Sequence, residues 1–226
     1  MGMSTRFLNR QDAGRQLAAR LAGYANDPSV LVLGLPRGGV PVAYEVARGL
    51  EAPLDVFVVR KLGVPGHREL AMGAIASGGV RVLNRDVIDA LRISPSAVDA
   101  VAEQELLEIE RQEKAFRGNA PVPQARIQEL SGRTLIIVDD GLATGSTMRA
   151  AVAALRQNHP ARIIVAVPVA AAETVLRLRR EADNVVCMSA PLDFHAVSMW
   201  YDDFSQTSDE EVRSLLEASA TVSRTV

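Results

Sequence analysis

The sequence predicts an α/β fold: a mostly parallel central sheet with helices on both faces. Three observations predict it. Short continuous apolar runs recur along the chain, each bounded by glycine, proline or charged residues. Segments of helical period separate them. The runs are apolar throughout instead of alternating, the pattern of strands buried on both faces. In such a sheet a ligand binds beyond the carboxyl ends of the strands.

Residues 9–26 are expected to form an amphipathic helix, with Ala13, Leu17 and Leu21 on one face and arginines opposite. Residues 30–35 read as a buried strand that Pro36-Arg37-Gly38-Gly39 breaks, and residues 40–50 return as a helix. A second buried strand, 54–59, ends at Arg60-Lys61. Residues 62–70 are polar and glycine-rich and are expected to be a mobile loop. Short strands at 71–76 and 80–83 meet at Gly78-Gly79. A charge-dense helix follows at 96–116, with Val98, Val101, Ile109 and Phe116 as its buried stripe and Glu103, Glu105, Glu108, Glu110 and Glu113 among its charges. An extended connection, 117–131, carries Pro121 and Pro123. Then come strand 133–138, helix 146–157, strand 162–167, helix 171–181 and strand 184–188. Three loops, at 36–39, at 60–61 and after residue 138, follow carboxyl ends of expected strands and so converge on one edge of the sheet.

Composition narrows the classes of function. A chain of 226 residues, 48% apolar and 23% charged, is expected to be one domain (1–226) with a full core. A net charge of −2 gives no basic footprint for nucleic acid or a membrane surface. Cys187 is the one cysteine, cannot form an internal disulfide, and lies in the apolar run Val185-Val186-Cys187-Met188, so it is expected to be buried and inert. The N-terminus has no signal-peptide apolar region, and position 6 is Arg6, so Met1-Gly2 makes a poor myristoylation signal. No apolar run approaches the ~20 residues of a membrane span. The expected location is cytoplasmic. His67, His159 and His195 show no metal-ligand spacing, which argues against a zinc site.

The most informative stretch is Leu135-Ile136-Ile137-Val138-Asp139-Asp140-Gly141-Leu142-Ala143-Thr144-Gly145-Ser146-Thr147. An apolar strand ends in two carboxylates, and a hydroxyl-rich loop then opens a helix. The loop and the positive helix terminus form a cup for one phosphate monoester, with Ala143, Thr144, Gly145, Ser146 and Thr147 around it. Asp139 and Asp140 suit vicinal hydroxyls, or a hydrated divalent cation, on the same ligand. A phosphate at one end and a diol at the other describes a ribose 5-phosphate. The order is not that of a Walker A loop, whose lysine is absent.

This stretch resembles the signature of the type I phosphoribosyltransferases, which bind phosphoribosyl pyrophosphate (PRPP), and Asp-Asp-x-Leu-Ala-Thr-Gly is nearest the adenine enzymes. The resemblance covers roughly residues 30–190. It implies the 5-phosphate at residues 143–147, the ribose hydroxyls at Asp139 and Asp140, and Mg²⁺ as cofactor with the same two aspartates as candidate ligands. Pro36-Arg37-Gly38-Gly39 resembles the family's pyrophosphate loop, with Arg37 capping the leaving group; taken alone, Gly38-Gly39 is also an ordinary tight strand-to-helix turn. Arg60-Lys61-Leu62-Gly63-Val64-Pro65-Gly66 resembles the stretch that opens a catalytic loop in adenine phosphoribosyltransferases. Lys61 is one of two lysines against twenty-three arginines, which favours a role for its compact charge. Glu69 in the expected loop is a candidate carboxylate for proton exchange, or a surface charge. Residues 84–117 become a helical insertion that compact relatives lack, and residues 190–207 a hood. Trp200 and Tyr201, with Phe194 and Phe204, either stack a heteroaromatic acceptor or form a small satellite core or dimer contact.

The implied reaction is transfer of ribose 5-phosphate to a nucleobase or similar nitrogen nucleophile, with release of pyrophosphate, by a transferase that works as a homo-oligomer, expected to be a dimer. The alternative is a PRPP-sensing regulatory protein without turnover. Ala143 stands where hypoxanthine and guanine enzymes place an aspartate, so a 6-oxopurine acceptor is not expected. Gly141 and the insertion depart from the adenine pattern.

Overall fold

The computed structural model describes residues 6–118 and 130–222. Strands β1 (Val30–Gly34), β2 (Leu54–Val56), β6 (Thr134–Val138), β7 (Arg162–Val169) and β8 (Asn184–Ser189) form a parallel sheet in the order β2-β1-β6-β7-β8. The register aligns Val32 with Ile136, and Ile136 with Ile164. This is the predicted α/β class, and alternation within the strands explains their unbroken apolarity. Val30, Val32, Ile136 and Val138 pack with α1 (Arg10–Arg20) and α2 (Gly39–Leu50) on one face. Leu31, Leu33, Leu135 and Ile137 pack with α5 (Ser146–Arg156) and α6 (Ala172–Leu178) on the other. Leu17 and Leu21 are fully buried as their spacing predicts, each contributing about 1.5–3 kcal/mol.

Between β2 and β6 the structure departs from the sequence reading. Only Leu54–Val56 belongs to the main sheet. Val59–Val64 is β3 of a second, antiparallel sheet with β4 (His67–Ala76) and β5 (Arg81–Leu83). Most of the segment expected to be a loop at 62–70 is therefore strand, turning at Pro65-Gly66. Leu62 and Val64 are buried while Pro65, Gly66, His67 and Leu70 are exposed, and two glycines and a proline interrupt the apolar pattern, so its composition reads as loop.

Helices α3 (Arg85–Ala90) and α4 (Pro95–Arg117) follow. Asn84 caps α3 through Val87 N, and Ser94 caps α4 through Ala97 N. Val98, Ile109 and Phe116 are the buried stripe of α4, as expected, and Val101 is half-buried beside them. Its last turn is tied to β2: the Arg117 guanidinium donates to Asp55 Oδ1 at 3.0 Å and lies 3.3 Å from Glu113. A C-terminal helix, α7 (Asp209–Val222), closes this side against α4 and α2. Most of the expected connection at 117–131 lies outside the described residues.

Candidate active site

Two loops meet above β1 and β6. Backbone hydrogen bonds fix the first: Leu35 N donates to Val138 O at 2.9 Å and Gly39 N to Leu35 O at 3.0 Å. The Pro36–Arg37 peptide is cis. Gly38 and Gly39 lie directly on the acidic pair. A Cβ at Gly38 would come within 2.1 Å of Asp140 Oδ2, and one at Gly39 within 2.9 Å of Asp139 Cα. Only glycine permits this approach.

The second loop carries the cup. Leu142 N donates to Val169 O and Ala171 N to Leu142 O, both at 3.0 Å, pinning the loop to the end of β7. Thr174 of α6 donates its hydroxyl to Ala143 O at 2.5 Å. Gly145 turns into α5 with φ +69°, and a Cβ there would lie 2.5 Å from Thr174 Cγ2. No side chain caps the start of α5. Ala143, Thr144, Ser146 and Thr147 are exposed, and the Thr144 and Ser146 hydroxyls lie 3.2 Å apart. Ser146 N makes one long bond to Thr144 Oγ1 at 3.5 Å, and the start of this 11-residue helix otherwise carries first-turn amides and hydroxyls that suit an anion.

The carboxylates are unequal. Asp139 accepts from Asp140 N at 2.9 Å. Burial pushes its carboxyl well above the usual carboxylate range, and the neighbouring Asp140 charge adds to the shift. Asp140 is also raised by burial, against the opposing effect of Arg10. Arg10 Nε donates to Asp140 Oδ2 at 2.8 Å, its Nη1 donates to Ser205 O at 2.6 Å, and the guanidinium lies 3.9 Å from the Phe204 ring centre. Arg10 is 9% exposed. The expectation that the arginines lie opposite the apolar face of α1 is corrected for Arg10, which stands three residues before Ala13 and seven before Leu17 and so shares their buried face. Helical spacing gives its face but not its carboxylate partner.

Tyr201 is buried, and its hydroxyl donates to Asp140 O at 2.6 Å. Its ring packs on Phe7 (5.5 Å) and Phe204 (5.1 Å), with Trp200 half-buried against the same cluster. Burial also raises the Tyr201 phenol. In this structure Tyr201 braces the backbone behind the acidic pair.

Arg60 and Lys61 are not at a strand end; they sit inside β3, on opposite faces. Arg60 Nε pairs with Glu105 of α4. Lys61 instead lines a cavity of about 330 Å³ between the small sheet and α5, together with Asn84, Ser146 and Thr147. Arg37 is half-exposed and lies 3.3 Å from Asp209 of α7. The Glu69 side chain lies outside the described residues.

No group of three or more metal-ligating side chains occurs among the described residues. Two adjacent carboxylates, one already holding an arginine, do not make a cage. They fit a Mg²⁺ ion that keeps waters and takes its other ligands from a bound phosphate compound.

The family model for the phosphoribosyl transferase domain matches residues 5–203. The chain belongs to this family, the type I phosphoribosyltransferases. Among its relatives is a Mycobacterium tuberculosis protein named as a putative phosphoribosyl transferase, 50% identical over 212 residues. That match covers 93% of the chain but 46% of the relative, so the chain spans about half the length of the mycobacterial protein. A Roseiflexus protein named as the bifunctional protein PyrR is 34% identical over 131 residues, 56% of this chain and 62% of the relative. The crystal structure of TT1426 from Thermus thermophilus is similar with a TM-score of 0.77 and 42% identity, covering 93% of this chain and 97% of that one. Among the described residues no helix is long and apolar enough to cross a membrane.

Proposed function

We propose that the chain catalyses transfer of ribose 5-phosphate from PRPP to a nitrogen nucleophile. The observation that carries the proposal is the meeting of the Gly38-Gly39 backbone with Asp139 and Asp140, beside the uncapped start of α5. The cup takes the 5-phosphate, the acidic pair the ribose hydroxyls, and the 36–39 loop with Arg37 the pyrophosphate. Mg²⁺ bound to the pyrophosphate, with the acidic pair within reach, would neutralise charge on the leaving group. The acceptor nitrogen forms a bond to the anomeric carbon and loses its proton. The bond from that carbon to pyrophosphate breaks, and the electron pair leaves with pyrophosphate. No protein nucleophile is needed; orientation and exclusion of water are the chain's contributions.

The acceptor class follows from Ala143. A methyl group cannot exchange a proton, so hypoxanthine and guanine are disfavoured. Pyrophosphate release from PRPP with adenine, uracil, orotate, hypoxanthine and guanine, with and without Mg²⁺, tests the proposal. Turnover of a non-oxopurine base that requires Mg²⁺ is expected. Binding of PRPP without turnover of any base would replace the transferase with a sensor, and absence of PRPP binding would refute both.

A further inference from the structure

We infer that Arg10 is a positioning residue for the ligand site: it acts through Asp140, holding that carboxylate in place beside the 36–39 loop. The inference rests on the PRPP reading and deepens it.

The geometry around Arg10 carries the argument. Its guanidinium is held on three sides, by Asp140 Oδ2 at 2.8 Å, Ser205 O at 2.6 Å and the Phe204 ring at 3.9 Å. Both members of the pair are largely out of water, with side-chain exposures of 10% and 14%. Asp140 is fixed a second time through its backbone, where Tyr201 donates to its carbonyl at 2.6 Å. Gly38 presses on the same carboxylate from the other loop. One Asp140 oxygen is thus held by a charge-assisted bond, and the carboxylate keeps further acceptor sites for a ligand hydroxyl. Asp139 has no ion-pair partner among the described residues. Because Arg10 lies on α1 and Ser205 on the segment after Tyr201, the arginine also ties the first helix and the 201–205 segment to the acidic pair. A rigidly held support of this kind keeps neighbouring groups in productive geometry.

Lysine can supply the charge at position 10 but not the fork that reaches Asp140 and Ser205 together. Calorimetric titration with Mg-PRPP of the wild type, Arg10→Met, Arg10→Lys, Asp139→Asn, Asp140→Asn and the Arg10→Met/Asp140→Asn double variant tests the inference, with thermal melts confirming a folded protein. Arg10→Met is expected to weaken PRPP binding about 10- to 100-fold and Arg10→Lys by an intermediate factor, while Asp139→Asn and Asp140→Asn each weaken it by removing a hydroxyl acceptor. In the Asp140→Asn background, Arg10→Met should cost less than threefold, because it acts through that carboxylate. Wild-type binding with no loss in Arg10→Met, or with equal losses in both backgrounds, overturns the inference and leaves the PRPP reading standing. Failure of the wild type to bind PRPP overturns both.

Discussion

Replacing Gly38 by alanine tests whether the acidic pair and the 36–39 loop form one packed unit. Gly38 has φ −59° and ψ −31°, a conformation open to any residue, so the added methyl carries no backbone penalty. Its Cβ would stand 2.1 Å from Asp140 Oδ2 and 2.9 Å from Asp140 Cγ. Carbon–oxygen contact begins near ~3.3 Å, so the carboxylate or the loop must retreat by more than ~1 Å. The carboxylate cannot do so and keep its 2.8 Å bond to Arg10. Overpacking of this kind costs about 1–3 kcal/mol, and strain on a mostly buried ion pair pushes the value to the upper part of that range. At about 2–4 °C per kcal/mol for a chain of this size, the melting temperature should fall by about 4–12 °C. PRPP affinity should fall with it. Gly23→Ala is the control, since a Cβ there meets nothing within 4 Å; its melting temperature should stay within about 1 °C of wild type or rise slightly. A Gly38→Ala protein that melts with the wild type would refute the packing argument.

Lys61→Ala should weaken PRPP binding about tenfold or more in calorimetry, whereas Arg60→Ala should change it less than twofold, because the two side chains occupy opposite faces of β3 and Arg60 pairs with Glu105. Thr174→Val leaves Ala143 O without its donor and should cost about 1–3 kcal/mol in denaturant unfolding, with weaker phosphate binding; unchanged stability would show that the loop is held without it. Cys187 is half-buried, not buried as its apolar run predicts, yet partial burial still pushes its thiol up to about 11, so at pH 8 roughly 0.1% is thiolate and labelling by a disulfide reagent should be slow until the protein is unfolded. Folding raises this pKa above its ordinary 9.0, so its stabilising contribution is complete below pH 9 and is lost as pH rises towards 11; Cys187→Ala should flatten the alkaline fall in stability over that window.

The main sheet was legible because its strands are buried on both faces and therefore read as unbroken apolar runs. The acidic pair and cup were legible for a different reason: their chemistry is carried by consecutive residues. What escaped the sequence is contact between distant segments. Residues 62–70 look like loop because two glycines and a proline interrupt their apolar pattern. Arg60 and Lys61 are neighbours in sequence, and only a strand's alternation sends one to α4 and the other towards α5. Gly141 looked like a departure from the adenine pattern; a side chain there would meet Val197 of the hood at 2.6 Å. Arg10 shares the helical spacing of Ala13 and Leu17, but its carboxylate partner, 130 positions away, left no local signal.

That long-range contact changes the electrostatics of the site. Two bare carboxylates beside a phosphate cup would repel the polyanion that the cup attracts, by about 4 kcal/mol for each pair of unit charges 4 Å apart at a surface-like dielectric. Arg10 cancels one of the two charges from behind, where it does not compete for the cup. The remaining carboxylate, Asp139, has no ion-pair partner among the described residues. On the PRPP reading, hydroxyl recognition next to phosphate recognition therefore depends on a buried cation, supplied by the first helix and anchored at Ser205, that offsets one of the two charges. Arg10→Met should for this reason weaken Mg-PRPP binding in calorimetry, although neither Arg10 nor Ser205 belongs to the signature.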